Sequence, residues 1–361
     1  RLGMVKTVPD GLKPGSDVAN LSAMGYDPLK CYTGRSPLEA VSIGIQMEDT
    51  DVAFRCNLVT LSDEAEYAEK TMVDYSSGEI TTAEAAELIR AVDAAFRTDE
   101  ILFYPGISYR HCMIWHQGPV GLNLTPPHDI SDRKITEYLP QNPVILDLMK
   151  RSYEILKDHP VNRDRIARGL NPANSIWLWG EGTRPGVTGF EAAYGVKASV
   201  ISAVDLIKGI GLCAGMKVIE VEGATGNIDT NFKGKGEAAL KTLLDGQDLV
   251  YIHVEAPDEC GHHGDLEGKI QAIERIDQDI VGPLLKGLEE AGEDYSILVM
   301  PDHPTPISIK THISDPIPYL LYCSTDVTDS GIDTYTEKTG ESTGVYVEPG
   351  YLLMQQLLKN K

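Results

Sequence analysis

Residues 248–265 read DLVYIHVEAPDECGHHGD: a strand-length apolar stretch that runs straight into Asp258 and His262, spaced D-x-x-x-H. The next such stretch, YSILVM (295–300), ends in PDHPTP and puts Asp302 and His303 at an equivalent position. Shortly afterwards KTHISDPIP (310–318) supplies His312. Working outward, the chain from about Ser175 alternates short apolar runs with helical patterns. The runs are NSIWLWG (174–180), ASVISAV (198–204), KVIEV (217–221) and PYLLYC (318–323). The helical patterns are DLIKGIGLCAG (205–215), GEAALKTLLDG (236–246), the long segment 268–292 and PGYLLMQQLLKNK (349–361). This alternation predicts an α/β fold with a mostly parallel sheet and helices on both faces. Ligands of such folds sit at the carboxyl ends of strands, where the Asp and His residues collect.

Between Ile45 and Asn171 the character changes. DVAFRCNLVTL (51–61) alternates like a half-buried strand, TTAEAAELIRAVDAAF (81–96) is amphipathic, and ILFYPGISYRHCMIWH (101–116) reads as a hairpin. The expectation is an inserted α+β lobe at 45–171 within a larger domain formed by 1–44 and 172–361. A chain of 361 residues is long enough for both.

With 42% hydrophobic and 24% charged residues the composition is that of a globular protein. A formal charge of −22 argues against a nucleic-acid partner, since phosphate backbones reward clustered Lys and Arg. An anionic substrate then requires that the few cations be gathered locally or that metal ions be used. No apolar run is long enough to cross a membrane, the opening RLGMVKTVPDG has no signal-peptide core, and six scattered cysteines fit reduced thiols. A cytoplasmic protein is the expectation.

Histidine is scarce, nine in all, yet three stand beside two aspartates at predicted strand ends. Mixed Asp/His sets suit Zn, Mn and related ions, and this many ligands favour two metals, an arrangement that can clamp a transferring phosphoryl group. Upstream, KPGSDVANLSAMGYDP (13–28) places Ser16 after a Pro-Gly turn and before an apolar-periodic run. Taken alone, Ser16 is either a helix cap or a nucleophile.

Together, Gly15-Ser16-Asp17, Asp258-x-x-x-His262-x-Gly264, Asp302-His303 and His312 resemble the alkaline phosphatase superfamily. More closely, KPGSDVANLSAMGYDP, AFRCNLVT, YRH, NSIWLWGEG and VISAVDLIKGIG resemble the archaeal-type cofactor-independent phosphoglycerate mutases over nearly the whole chain. The resemblance implies an alkaline-phosphatase-like three-layer sandwich with an inserted, substrate-closing lobe. It implies interconversion of 3-phosphoglycerate and 2-phosphoglycerate through phospho-Ser16, without 2,3-bisphosphoglycerate. Two divalent ions (Mn, Zn, Co or Mg) are implied, one held by Asp258, His262 and His312, the other by Ser16, Asp302 and His303. The family also has an opening strand ending in Asp-Gly, whose aspartate completes the serine-side site. This sequence resembles the family just after that segment, and Asp10 is not assigned the role. A protein without the segment is expected to lack a central strand and one ligand.

For gripping carboxylate or phosphate, the candidates are Arg55, Asn57, Arg110 and His111 in the lobe and Lys208 in DLIKGIG. Arg163, Arg165 and Arg168 form either a surface helix face or a hinge or substrate element. The tryptophans of IWLWG read as packing, and His128-Asp129 as a turn or a lid contact. Two alternatives share the pattern: a metal-dependent phosphohydrolase or phosphotransferase acting on another small alcohol (homoserine-kinase-like), and a non-catalytic metal-binding relative.

Overall fold

A computed structural model describes residues 1–327 and 331–359. The strands, in chain order, are β1 (Leu2–Val5), β2 (Asp51–Leu61), β3 (Met72–Asp74), β4 (Ile101–Tyr104), β5 (Arg110–His116) and β6 (Ser175–Thr183). They continue with β7 (Ala198–Ile201), β8 (Lys217–Val218), β9 (Leu249–Ile252), β10 (Ser296–Val299), β11 (Ile317–Cys323) and β12 (Tyr346–Val347). The chain divides into two compact units, Arg1–Tyr32 with Gly186–Lys361, and Thr33–Pro185.

The discontinuous unit carries two sheets, ordered β10-β11-β1-β12 and β8-β7-β9. The second is parallel, as the alternating strand and helix pattern predicts. The first is mixed: β1 is parallel to β12, whereas β11 runs antiparallel to both β1 and β10. The expectation of a mostly parallel sheet is therefore corrected at β11. An apolar run fixes that a segment is buried, and leaves the direction of its pairing to the connecting loop. β9 and β10 each stand at an edge of their sheet, and both lead into the Asp- and His-bearing segments.

In Thr33–Pro185, β2 is the spine: β5 and β6 pair antiparallel along its two sides, with β4 beyond β5. One face buries Phe54, Cys56 and Leu58 with Ile176 and Leu178 of β6 and with Leu88, Ile89 and Val92 of the helix Thr82–Phe96. That helix starts where Thr81 accepts from the Glu84 amide, a cap written in its sequence. The expected boundaries at 44/45 and 171/172 thus fall at 32/33 and 185/186. NSIWLWG, read as a strand of the larger domain, belongs to this sheet because its apolar side chains complete the core under β2. In the terminal pattern a helix spans Leu352–Leu358, and residues 360 and 361 lie outside the described residues.

Candidate functional site

Ser16 opens the helix Ser16–Ala23, whose cap position is Gly15, in extended conformation and without a side-chain cap. Ser16 is therefore the first helical residue, and its hydroxyl is free of capping duty. Its Oγ lies 3.0 Å from Nε2 of His303. One turn on, the fully buried Asn20 donates to the Ser16 carbonyl at 2.8 Å and to Asp302 Oδ2 at 2.7 Å, and accepts from Tyr251 at 2.6 Å.

Asp258 and His262, expected just past a strand end, lie there one turn apart on the helix Ala256–His263, which has Pro257 in its first turn and ends at left-handed Gly264. This spacing puts both on one helix face, with His262 Nε2 at 3.2 Å from Asp258 Oδ2. His312 Nε2 lies 3.3 Å from the other carboxylate oxygen. The Nδ1 of His312 meets the Pro14 carbonyl at 2.8 Å, and that of His262 meets the Lys310 carbonyl at 3.1 Å. A carbonyl only accepts, so both Nδ1 atoms carry protons, and in the neutral rings the two Nε2 atoms, 2.9 Å apart, turn acceptor lone pairs toward one another, a clash that a proton on His312 Nε2 shared with Asp258 relieves in the metal-free protein. Two facing lone pairs beside a carboxylate call for a cation between them, and the outer carbonyls fix the rings in the tautomer that metal ligation needs. Donor atoms of Asp258, His303 and His312 all lie within 4.8 Å of one another. The residues present thus fit a divalent metal centre.

Burial acts to raise the Asp258 carboxyl, but hydrogen bonds from His312 and Thr305 and the neighbouring imidazoles outweigh it and hold the group at about 2. His312 moves the other way: burial lowers it, and the Asp258 hydrogen bond and charge raise it further than burial lowers it. His303 is held neutral mainly by burial. All six residues predicted for nucleophile and metal, Ser16, Asp258, His262, Asp302, His303 and His312, are thus brought into one connected cluster.

Sequence reasoning missed a layer behind it. His253 is buried, with Nε2 at 3.3 Å from Glu255 and Nδ1 at 3.2 Å from Ser202. Burial, joined by the charges of Asp258 and Asp302, pushes Glu255 up to about 8. The fully buried Lys235 donates to the His253 carbonyl at 3.2 Å and is pushed down to about 8 by burial, against the pull of Glu255. The available signal was positional: His253 and Glu255 follow the end of β9 as directly as Asp258 does.

The substrate candidates divide. Arg55 gives Nε and Nη2 to the two oxygens of Glu39, both at 2.7 Å, and lies over Trp179 at 4.4 Å. Asn57 accepts from the Trp179 indole at 2.9 Å and donates to the Tyr75 carbonyl at 3.2 Å. Arg110 pairs with Asn57 across β2 and β5 and is exposed. His111 is paired with Cys56 of the core face, so the alternation of β5 sends it away from Arg110. Lys208 is held by both oxygens of Glu220 at 2.9 Å. Arg165, suggested as hinge or substrate element, is buried and binds Glu84, the Ser77 carbonyl and the Asn171 carbonyl. IWLWG is more than packing, since Trp177 and Trp179 both donate hydrogen bonds.

The sequence pattern described as 2,3-bisphosphoglycerate-independent phosphoglycerate mutase matches residues 1–162. A protein of Geobacter sulfurreducens named as a probable 2,3-bisphosphoglycerate-independent phosphoglycerate mutase is 50% identical, over 99% of this chain and 90% of its own length. The mutase of Methanosarcina barkeri is 52% identical over 91% of this chain and 82% of its own length. Among solved structures, the PH0037 protein of Pyrococcus horikoshii superposes with a TM-score of 0.79 at 27% identity, covering 100% of this chain and 87% of the other. The fold is also that of a cofactor-independent phosphoglycerate mutase from Thermoplasma acidophilum, with a TM-score of 0.65 at 22% identity, covering 99% and 88%. Strand ends leading into an Asp and His cluster, with Ser16 beside it, define an α/β protein whose site residues fit a divalent metal. The chain belongs to the 2,3-bisphosphoglycerate-independent phosphoglycerate mutases, which are isomerases.

Proposed function

We propose that the protein interconverts 3-phosphoglycerate and 2-phosphoglycerate through a phosphoserine at Ser16, with the discontinuous unit as an alkaline-phosphatase-like phosphoryl-transfer domain. The observation that carries the reading is the 3.0 Å approach of Ser16 Oγ to His303 Nε2 within the cluster of Asp302, Asp258, His262 and His312. Divalent ions held by Asp258, His262 and His312 and by Ser16, Asp302 and His303 would supply charge neutralisation and activation of the hydroxyl when bound.

Ser16 Oγ attacks phosphorus as the bond to the glycerate oxygen breaks. The second glycerate hydroxyl then attacks the phosphoserine and Oγ leaves. The hydroxyl proton lost in the first half returns in the second, so isomerisation consumes none. Asn20 fixes Asp302 and the first helical turn together, so that the nucleophile and the carboxylate keep one geometry.

Thr33–Pro185 is proposed to hold the glycerate, with Arg55, Asn57 and Arg110 as its binding groups. For Arg55 this requires substrate to compete with Glu39, while Lys208 and His111 are engaged elsewhere. The small anionic substrate fits a cytoplasmic enzyme, and among the described residues no helix is long and apolar enough to cross a membrane.

The test is an enolase-coupled assay on 3-phosphoglycerate with added Mn and no bisphosphoglycerate, on the wild-type protein and Ser16→Ala. Turnover in the wild type alone supports the reading. Turnover in both variants, or phosphate release without isomer, overturns it.

A further inference from the structure

One face of Thr33–Pro185 carries an unbroken row of rings and cations. Arg55 lies over Trp179 at 4.4 Å, Trp179 meets His128 edge-on at 5.3 Å, and His128 meets Tyr75 at 6.0 Å. Tyr75 meets Tyr109 at 5.8 Å, and Tyr109 lies under Arg110 at 5.3 Å. The hydrogen-bonding capacity along the row is distributed unevenly. The Arg55 fork is engaged by Glu39, and Asn57 is held by Trp179 and Tyr75. Among the described residues the acid paired with the His128 ring, Asp129, stands 3.6 Å from Nε2, beyond hydrogen-bond reach, and the His128 side chain is 47% exposed.

Exposed histidines usually wander, but this one is fixed. Its short helical turn, Pro127–Ile130, buries Pro127 and Ile130, the latter in the core under β2. The segment is tied on one side by Trp177 Nε1 to the Thr125 carbonyl at 2.9 Å, and on the other by the Asp132 amide to Met72 at 2.8 Å. An imidazole clamped between two rings, with an open nitrogen, beside the three proposed binding groups, is a preorganised donor for an anion.

We infer that His128 is a substrate-contacting residue that binds the carboxylate of the glycerate moiety. The inference rests on the mutase reading above. The carboxylate is the anionic group that never leaves glycerate, so a grip on it serves both half-reactions. Losing that grip lets glycerate escape and leaves the phosphoserine to water.

The experiment uses the full Mn-loaded chain as wild type, His128→Ala, His128→Gln and the control Asp129→Asn, with isomer, inorganic phosphate and Tm measured together. His128→Ala is expected to lower kcat/KM about ten- to a hundredfold, the scale of a hydrogen bond to a charged group. It is also expected to raise the phosphate released per isomerisation about tenfold, by the same scale, with Tm unchanged. Gln, which keeps an N–H donor, restores most of both, and Asp129→Asn behaves as wild type. Both His128 variants within twofold of wild type would overturn the inference by the same standard, as would loss of activity with lowered Tm and an unchanged phosphate ratio. A wild type that forms no isomer overturns the mutase reading and this inference with it, whereas an active wild type with unaffected variants overturns this inference alone.

Discussion

Asn20 Nδ2 donates to Asp302 Oδ2 at 2.7 Å, joining the first helix to a residue 282 positions away. Asn20 is fully buried, and the same amide serves the Ser16 carbonyl and the Tyr251 hydroxyl. Asn20→Ala leaves Asp302 short of a donor and Tyr251 with a buried, unpaired hydroxyl. A stability loss of about 2–4 kcal/mol is expected, since each such group costs roughly 1–3 kcal/mol. Tyr251→Phe removes one partner without stranding a charge and should cost about 1 kcal/mol. Urea unfolding of both variants checks the ranking, and equal effects would contradict it.

Ser16→Ala separates chemistry from architecture. Because Gly15 occupies the cap position, losing the hydroxyl removes no capping bond, and stability should change by less than about 0.5 kcal/mol. A capping serine would have cost about 1 kcal/mol. Isomerisation, by contrast, should vanish, together with acid-stable labelling of the protein by radioactive phosphate. Residual labelling in Ser16→Ala would move the nucleophile elsewhere.

What the sequence made legible follows from the range of each signal. Strand ends carrying Asp258, Asp302 and His303 were visible because a short apolar run and the polar residues after it are local features. The helix that carries Asp258 and His262 went unread, although Pro257 in its first turn and Gly264 past its end are local start and stop signals. The placement of β6 was not, since SIWLWGEGT fits either sheet and only pairing with β2 decides it. Arg55 and Arg165 illustrate the same limit. Both read as available cations, and only the fold shows Glu39 and Glu84 waiting for them.

The Arg165–Glu84 pair, 2.8 Å apart with the Arg side chain 3% exposed, is structural. Glu84 keeps Arg168 when Arg165 is removed, but the carbonyls of Ser77 and Asn171 lose their donor, so Arg165→Met should destabilise by about 2–4 kcal/mol. Arg168, half-exposed on the same glutamate, should matter by less than about 1 kcal/mol on substitution by Ala. KM for 3-phosphoglycerate should be unchanged in Arg168→Ala. A raised KM there would revive a substrate role for the cluster.

Glu255 gives the metal-free protein a pH dependence of definite sign. Burial raises its carboxyl from the ordinary 4.5 to about 8, so folding takes up a proton between those values. Its contribution is complete below about pH 4.5 and is lost as pH rises through about 8. In chelator-treated protein, Glu255→Gln should therefore gain stability over wild type as pH rises, by about 2–4 kcal/mol at pH 9. Divalent metal should shrink the difference, because added positive charge favours the carboxylate. Parallel curves with and without the substitution would show that Glu255 is ionised throughout.

His111 works in the opposite direction at acid pH. Its Nδ1 accepts from the Gly106 amide at 2.9 Å, Nε2 has no partner among the described residues, and the residue is buried on the core side of β5. Burial lowers it from the ordinary 6.5 to about 3. The unfolded chain takes up a proton in that window and the folded chain does not, so stability is intact above pH 6.5 and falls toward pH 3. His253, lowered by burial to about 4, adds to the same slope, so the informative quantity is the difference between wild type and His111→Leu. At pH 7 the variant should be less stable by about 1–2 kcal/mol, having lost the acceptor for Gly106. On acidification the difference should shrink and then reverse, because leucine has no proton to gain in the unfolded state. A difference that stays constant from pH 7 to pH 4 would mean that His111 titrates alike in both states, and that its burial is relieved before the fold is lost.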